Sequence, residues 1–190
     1  MTTAFVLGNG TSRQGLDLNK LSEFGPIYGC NALFRDFVPS VLVATDTPIS
    51  EAIQRSEYAL KHRFYTRKPL LGLGAQIIPE DIWGYSSGPV AVNLAALAGN
   101  NRIYLIGFDM GPSSVGKFNN MYADSEFYKK SSAVPTYTGN WVNQIKTTVK
   151  KFPSIEFIRV VGMSTTSIKE LESLPNLYHM PILDFQRSYK

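Results

Sequence analysis

Residues 4–15 read AFVLGNGTSRQG: a short apolar run, two glycines around an asparagine, then two hydroxyls. Phe5–Leu7 is apolar without alternation and is closed at once by Gly8, the pattern of a strand buried on both faces that runs straight into a loop. The same shape recurs along the chain. Ile27–Cys30 ends at Asn31, Val41–Ala44 at Thr45-Asp46, Arg102–Ile106 at Gly107-Phe108-Asp109, and Ile155–Val161 at Gly162. Five such runs predict a parallel sheet.

Helices fit between the runs. In "TPISEAIQR" Thr47 is placed as N-cap, Pro48 at the first helical position and Glu51 in the first turn, all favoured at the positive end of a helix. Residues 88–98, "GPVAVNLAALA", are apolar nearly all round, which predicts a helix buried against the sheet. Trp141, Ile145, Val149 and Phe152 follow an i, i+4, i+8, i+11 spacing, the apolar stripe of an amphipathic helix. Strands alternating with helices predict an α/β fold, a single doubly wound (Rossmann-like), mostly parallel sheet with helices on both faces. Residues 111–139 lack periodicity and are rich in Ser, Asn, Tyr and Gly, as in a long lid-like loop. A nucleotide-binding domain over 1–162 is expected, with 163–190 as an extension packed on it, carrying a short helix at 167–174 and a proline-punctuated tail.

Composition sets the class. With 190 residues, 44% of them hydrophobic and 18% charged, the chain suits one globular domain, which at this size buries roughly 70% of the surface its unfolded form exposes. The net charge of +4 is carried by small basic groups such as Lys61/Arg63/Arg67/Lys68. That distribution suits a phosphate-bearing ligand better than nucleic acid, which calls for a continuous basic stripe. Cys30 is the only cysteine, which excludes an intrachain disulfide and a cysteine-based metal site. With no basic leader and no apolar stretch of about 20 residues, a soluble cytoplasmic protein is expected.

In a doubly wound sheet ligands sit outside the carboxyl ends of the strands. Asn9, Asn31, Asp46 and Asp109 all stand at such ends, so the topology gathers them on one rim. Gly8 and Gly10 are expected to supply positive φ and close approach to a ligand, with Asn9, Thr11 and Ser12 donating to it. This turn lacks the Lys-Ser/Thr of a P-loop and the third glycine of a dinucleotide fingerprint. In "SSGPVAV" Ser87 and Gly88 open a helix, where backbone N–H groups either meet an anion or are simply capped. Asp46 and Asp109 are candidate catalytic residues, to bind a divalent ion or to orient or deprotonate an acceptor hydroxyl; either could instead be only a helix cap. Tyr122, Tyr128 and Tyr137 in the long loop either donate to a phosphate or pack. His62 and His179 have no motif partner, no Ser-His-Asp order is present, and Cys30 reads as inert packing.

"VLGNGTSRQGLDLNKL…IYGCNALF" resembles the N-terminal signature of the bacterial lipooligosaccharide sialyltransferases, glycosyltransferase family 42, and "SSGPVAVNLAALAGNNRIYLIGFDM" resembles their second block. The resemblance spans about residues 4–161, with 54–83 matched least. It implies transfer of a glycosyl group from a CMP-activated or other nucleotide-activated sugar to a hydroxyl acceptor, with no cofactor required. Asn9, Gly10, Ser12 and Asn31 would then contact the nucleotide, Ser87 and Gly88 would form a turn near the donor, and Tyr122 best matches a tyrosine that assists the leaving phosphate. Asn140 stands where that family has a histidine base. "FRDFVPSVLVATD" looks like a strand of the pterin pyrophosphokinase-like group. That resemblance implies ATP, with Mg2+ on Asp46 and Asp109. A third alternative is a non-catalytic nucleotide-binding module, and an oligomer is compatible with each.

Overall fold

The computed structural model describes residues 2–189; residues 1 and 190, the outer ends of the two expected segments, lie outside it. Eight strands form one sheet: β1 Thr3–Leu7, β2 Ile27–Cys30, β3 Val41–Ala44, β4 Phe64–Thr66, β5 Gln76–Ile77, β6 Arg102–Ile106, β7 Glu156–Val161 and β8 Leu177–Pro181. The helices are α1 Leu18–Ser22, α2 Thr47–Arg55, α3 Tyr58–Lys61, α4 Ser87–Leu97, α5 Gly139–Lys151, α6 Lys169–Glu172 and α7 Ile182–Ser188. Strand order is β5-β4-β3-β2-β1-β6-β7-β8, and every neighbouring pair is parallel. The fold is α/β and Rossmann-like. The order reverses between β1 and β6, which makes their carboxyl ends the switch point of the sheet.

Alternation along the strands divides the core into two layers. Ala4 and Val6 face one cluster with Val90, Ala91 and Leu94 of α4 and Ile145 and Val149 of α5. Phe5 and Leu7 face the other, with Leu21 of α1, Ile49 and Ile53 of α2 and Phe185 of α7. Each fully buried apolar side chain contributes about 1.5–3 kcal/mol, so burial on both faces of the central strands is what fixes the sheet. Among the described residues no helix is long and apolar enough to cross a membrane.

Three strands were not visible as apolar runs: β4, β5 and β8. The last lies inside the expected extension and pairs with β7, so part of 163–190 belongs to the sheet itself. The start of α2 also differs from expectation. Asp46 is the N-cap and Thr47 the first helical residue, because Asp46 keeps extended angles (φ −80°, ψ 129°) while Pro48 fits the first turn.

No regular element lies between Ile106 and Gly139. The loop is nevertheless held across the rim. Met121 N–H donates to the Asn9 carbonyl (2.8 Å), Tyr122 Oη to Asp36 (2.7 Å), and the Ala32 N–H to Tyr128 Oη (3.2 Å).

Candidate functional site

The exits of β1, β2, β3, β4 and β6 and the first turn of α4 enclose a cleft of about 310 Å3. Gly8, Asn9, Gly10, Asn31, Asp46, Ser87, Gly88 and Asp109 all line it, so residues as far apart as positions 8 and 109 converge as the topology requires. Ser12 and Tyr122 do not line it. The Ser12 hydroxyl and N–H both bind Asp109, and Tyr122 Oη lies between Asp36 and the Arg13 guanidinium beneath the rim.

The two glycines serve a purpose different from the expected one. Neither has a positive φ; Gly10 sits at φ −65°, ψ 147°. What they supply is proximity. A Cβ on Gly8 would lie 2.5 Å from the Gly107 carbonyl oxygen, and one on Gly10 would lie 2.5 Å from Asp109 Oδ2. The exit of β1 is thereby laced to that of β6, with Gly8 N–H donating to the Ile106 carbonyl (2.8 Å) and Gly10 N–H to the Gly107 carbonyl (2.9 Å). Arg13 closes the lacing by donating through Nε to the Gly8 carbonyl (2.6 Å).

Asp109 is the hub of that lacing rather than a free base. Its carboxylate, 3% exposed, accepts from Ser12 N–H (3.0 Å), Ser12 Oγ, Asn119 Nδ2 (3.1 Å), Ser164 Oγ (2.6 Å) and Thr165 Oγ1 (3.2 Å). Five donors occupy the lone pairs of both oxygens. Buried Arg159 fixes the backbone beside it, donating to the carbonyls of Phe108 (2.8 Å), Asp109 (3.1 Å) and Thr166 (2.9 Å). Met110 then follows in the left-handed region, at φ 51°, which costs about 1–2 kcal/mol and persists only because its neighbours are so firmly held.

Ser87 is a second internal node. Its hydroxyl accepts from Thr45 N–H (3.0 Å) and donates to Asn31 Oδ1 (3.0 Å), tying together the exits of β2 and β3 and the start of α4. Asn31, itself at φ 53°, has no partner for its Nδ2 among the described residues. Asn9 is engaged on both sides, donating to the Cys30 carbonyl (3.3 Å) and accepting from Arg13 (3.2 Å).

Open hydrogen-bonding capacity in the cleft is therefore concentrated in a few groups. Asp46 is exposed, caps α2 without a side-chain hydrogen bond, and is in no ion pair among the described residues. The N–H groups of Ser87 and Gly88, at the positive end of α4, find no acceptor among the described residues. Arg67 is the only basic residue lining the cleft among the described residues. Its Nε and Nη2 are fixed on the carbonyls of Trp83 and Tyr85, both at 2.8 Å, and its Nη1 has no acceptor among the described residues.

Apolar surface comes from Phe108, Met110, Pro89 and Trp141. Trp141 reads in the sequence as part of the α5 core stripe, yet it lines the cleft, and Arg67 stood out there only as one member of a basic group. Arg159 carried a visible signal, a charge flanked on both sides by apolar residues of its strand. Asn140 is exposed and does not line the cleft.

Burial pushes the Cys30 thiol up to about 12, and its Sγ–H faces the Leu7 carbonyl. Tyr122 is also raised to about 12, first by burial and then by the Asp36 carboxylate that accepts its proton. Among the described residues no group of three or more His, Cys, Asp or Glu is placed to hold a metal ion. Of the two carboxylates considered as Mg2+ ligands, Asp109 has its oxygens taken, so the donor set does not fit a two-aspartate metal site. Compared with protein-family models, with curated proteins and with solved structures, the chain matches none.

Proposed function

We propose that the rim cleft binds a nucleoside phosphate and that the chain is a transferase moving a glycosyl group from a nucleotide-activated sugar, a CMP-sugar in the first instance, to a hydroxyl acceptor. One observation carries this reading: the unpaired Asp46 carboxylate stands in the same cleft as the open first turn of α4. An anion is favoured at such a turn, and Arg67 Nη1 adds a positive charge beside it. Trp141 and Phe108 offer flat apolar surface to a base or sugar ring, and Asn31 Nδ2 donates to ribose or phosphate oxygens.

In the reaction the acceptor oxygen forms a bond to the anomeric carbon as the bond from that carbon to the phosphate oxygen breaks. The electron pair leaves with the nucleoside monophosphate, whose charge the α4 turn and Arg67 stabilise. The acceptor proton passes to Asp46, which takes the part that Asn140 has no basic atom to play. A binding module without turnover is the second reading, favoured by that same Asn140. Turnover with any activated donor excludes it.

The test is a thermal-shift and calorimetry panel of CMP, CDP, UDP, GDP and ATP, each with magnesium and with chelator. A ligand at 100 times its Kd stabilises by about 2.7 kcal/mol, and CMP is expected to do so in chelator. A folded protein that binds none of the five overturns the proposal; binding of ATP alone, and only with magnesium, replaces it with the kinase alternative.

A further inference from the structure

A second cavity, of about 180 Å3, opens beside the cleft and shares Thr45 and Arg67 with it. It is lined by Thr47, Ser50, Glu51, Lys68 and Trp83 as well. Asp46 lines the first cleft, and its chain neighbours Thr45 and Thr47 line the second cavity, so the two hollows adjoin at this segment. We propose that this second cavity is the acceptor subsite and that it takes an anionic sugar, a sugar acid or a sugar phosphate. The proposal rests on the glycosyl-transfer reading and names its acceptor class.

Charge decides in favour of an anion. Glu51 has its partner on α2, Arg55, at 3.9 Å. Lys68 is exposed and takes part in no ion pair among the described residues, and Arg67 keeps Nη1 free. With Arg67 Nη1 given to the donor phosphate, the uncompensated charge that this cavity keeps for itself is that of Lys68, and it is positive. The sugar ring itself has a surface to lie on. Trp83 is 44% exposed, and the Arg67 guanidinium over its indole at 5.6 Å fixes the ring without enclosing it. Thr47 adds a hydroxyl for the polar edge of a saccharide. An anionic sugar seated here lies against Thr45 and Thr47, the chain neighbours of Asp46, within the segment that carries the proposed base.

The experiment titrates the full chain with glucuronic acid, glucose 6-phosphate and glucose, followed by ligand-observed NMR up to about 20 mM, beyond the millimolar Kd expected of so small a cavity. At least one of the two anions is expected to bind about tenfold more tightly than glucose, the effect of one charged hydrogen bond, and the tighter anion identifies the group recognised. Lys68→Gln is expected to remove most of that advantage, whereas Lys61→Gln, outside both cavities, leaves it intact. Equal binding of all three sugars, no binding of any, or an unchanged preference in Lys68→Gln overturns the subsite. A CMP titration on the same sample separates the two proposals: CMP binding without sugar binding refutes only the acceptor subsite, and sugar binding without CMP binding refutes only the donor reading.

Discussion

Replacing Gly10 by alanine isolates the lacing between the exits of β1 and β6. At φ −65°, ψ 147° the position suits any L-residue, so the new methyl meets no backbone strain and even restricts the unfolded chain slightly. Its difficulty is space: the Cβ would lie 2.5 Å from Asp109 Oδ2 and 2.7 Å from the Gly107 oxygen. Relief requires the two exits to part, which costs about 1–3 kcal/mol as overpacking. Parting also weakens the Gly10–Gly107 hydrogen bond and at least one charge-assisted bond to Asp109, about 1.5–3 kcal/mol more. Net destabilisation of about 3–4 kcal/mol is expected, a fall in Tm of roughly 10 °C for a domain of this size.

Urea unfolding followed by circular dichroism measures it directly. The comparison is Gly15→Ala, where φ is +83° and nothing lies within 4 Å of the new Cβ; conformational strain alone costs about 1 kcal/mol there. A ranking by φ would put Gly15 first, whereas contact geometry puts Gly10 first. If Gly10→Ala proves no more harmful than Gly15→Ala, the lacing does not hold the rim together.

Three further outcomes are expected. Asp46→Asn should leave urea stability within about 0.5 kcal/mol of wild type, since the side chain makes no cap bond, while lowering glycosyl transfer by at least about 100-fold in a turnover assay. Cys30, buried with its thiol raised to about 12, should resist a disulfide reagent in the native protein and react fully once urea unfolds it. Tyr58 and Tyr122 are both raised to about 12 by burial, so above pH 10 the unfolded chain sheds phenolic protons that the folded one retains. Stability should be unaffected by these groups below pH 10 and fall as pH rises from 10 towards 12, read as a dropping urea midpoint alongside absorbance at 295 nm.

The five short apolar runs were legible because burial on both faces leaves little room for polar residues. Strand β5 has two residues, both exposed, and β8 carries Tyr178 and His179 at an edge, so neither bears that mark. The gathering of Asn9, Asn31, Asp46 and Asp109 at the strand ends was likewise legible, since parallel topology alone dictates it. Which of them remain available to a ligand was not. The partners of Asp109 include Ser12, 97 positions away, and Ser164, 55 positions away, and no local spacing encodes such bonds. Trp141 misled for the opposite reason: a side chain at the end of an amphipathic stripe has the same periodicity whether it meets the core or the cleft.

The order of the strands also bears on how the chain is made. Once β2 has joined one side of β1, the other side awaits β6, whose first residue comes 95 positions after the last of β1. At roughly 5–20 residues per second, a ribosome needs about 5–20 seconds to supply it. Throughout that interval an apolar strand from the middle of the sheet presents a bare edge, which makes early synthesis the moment when a chaperone matters most.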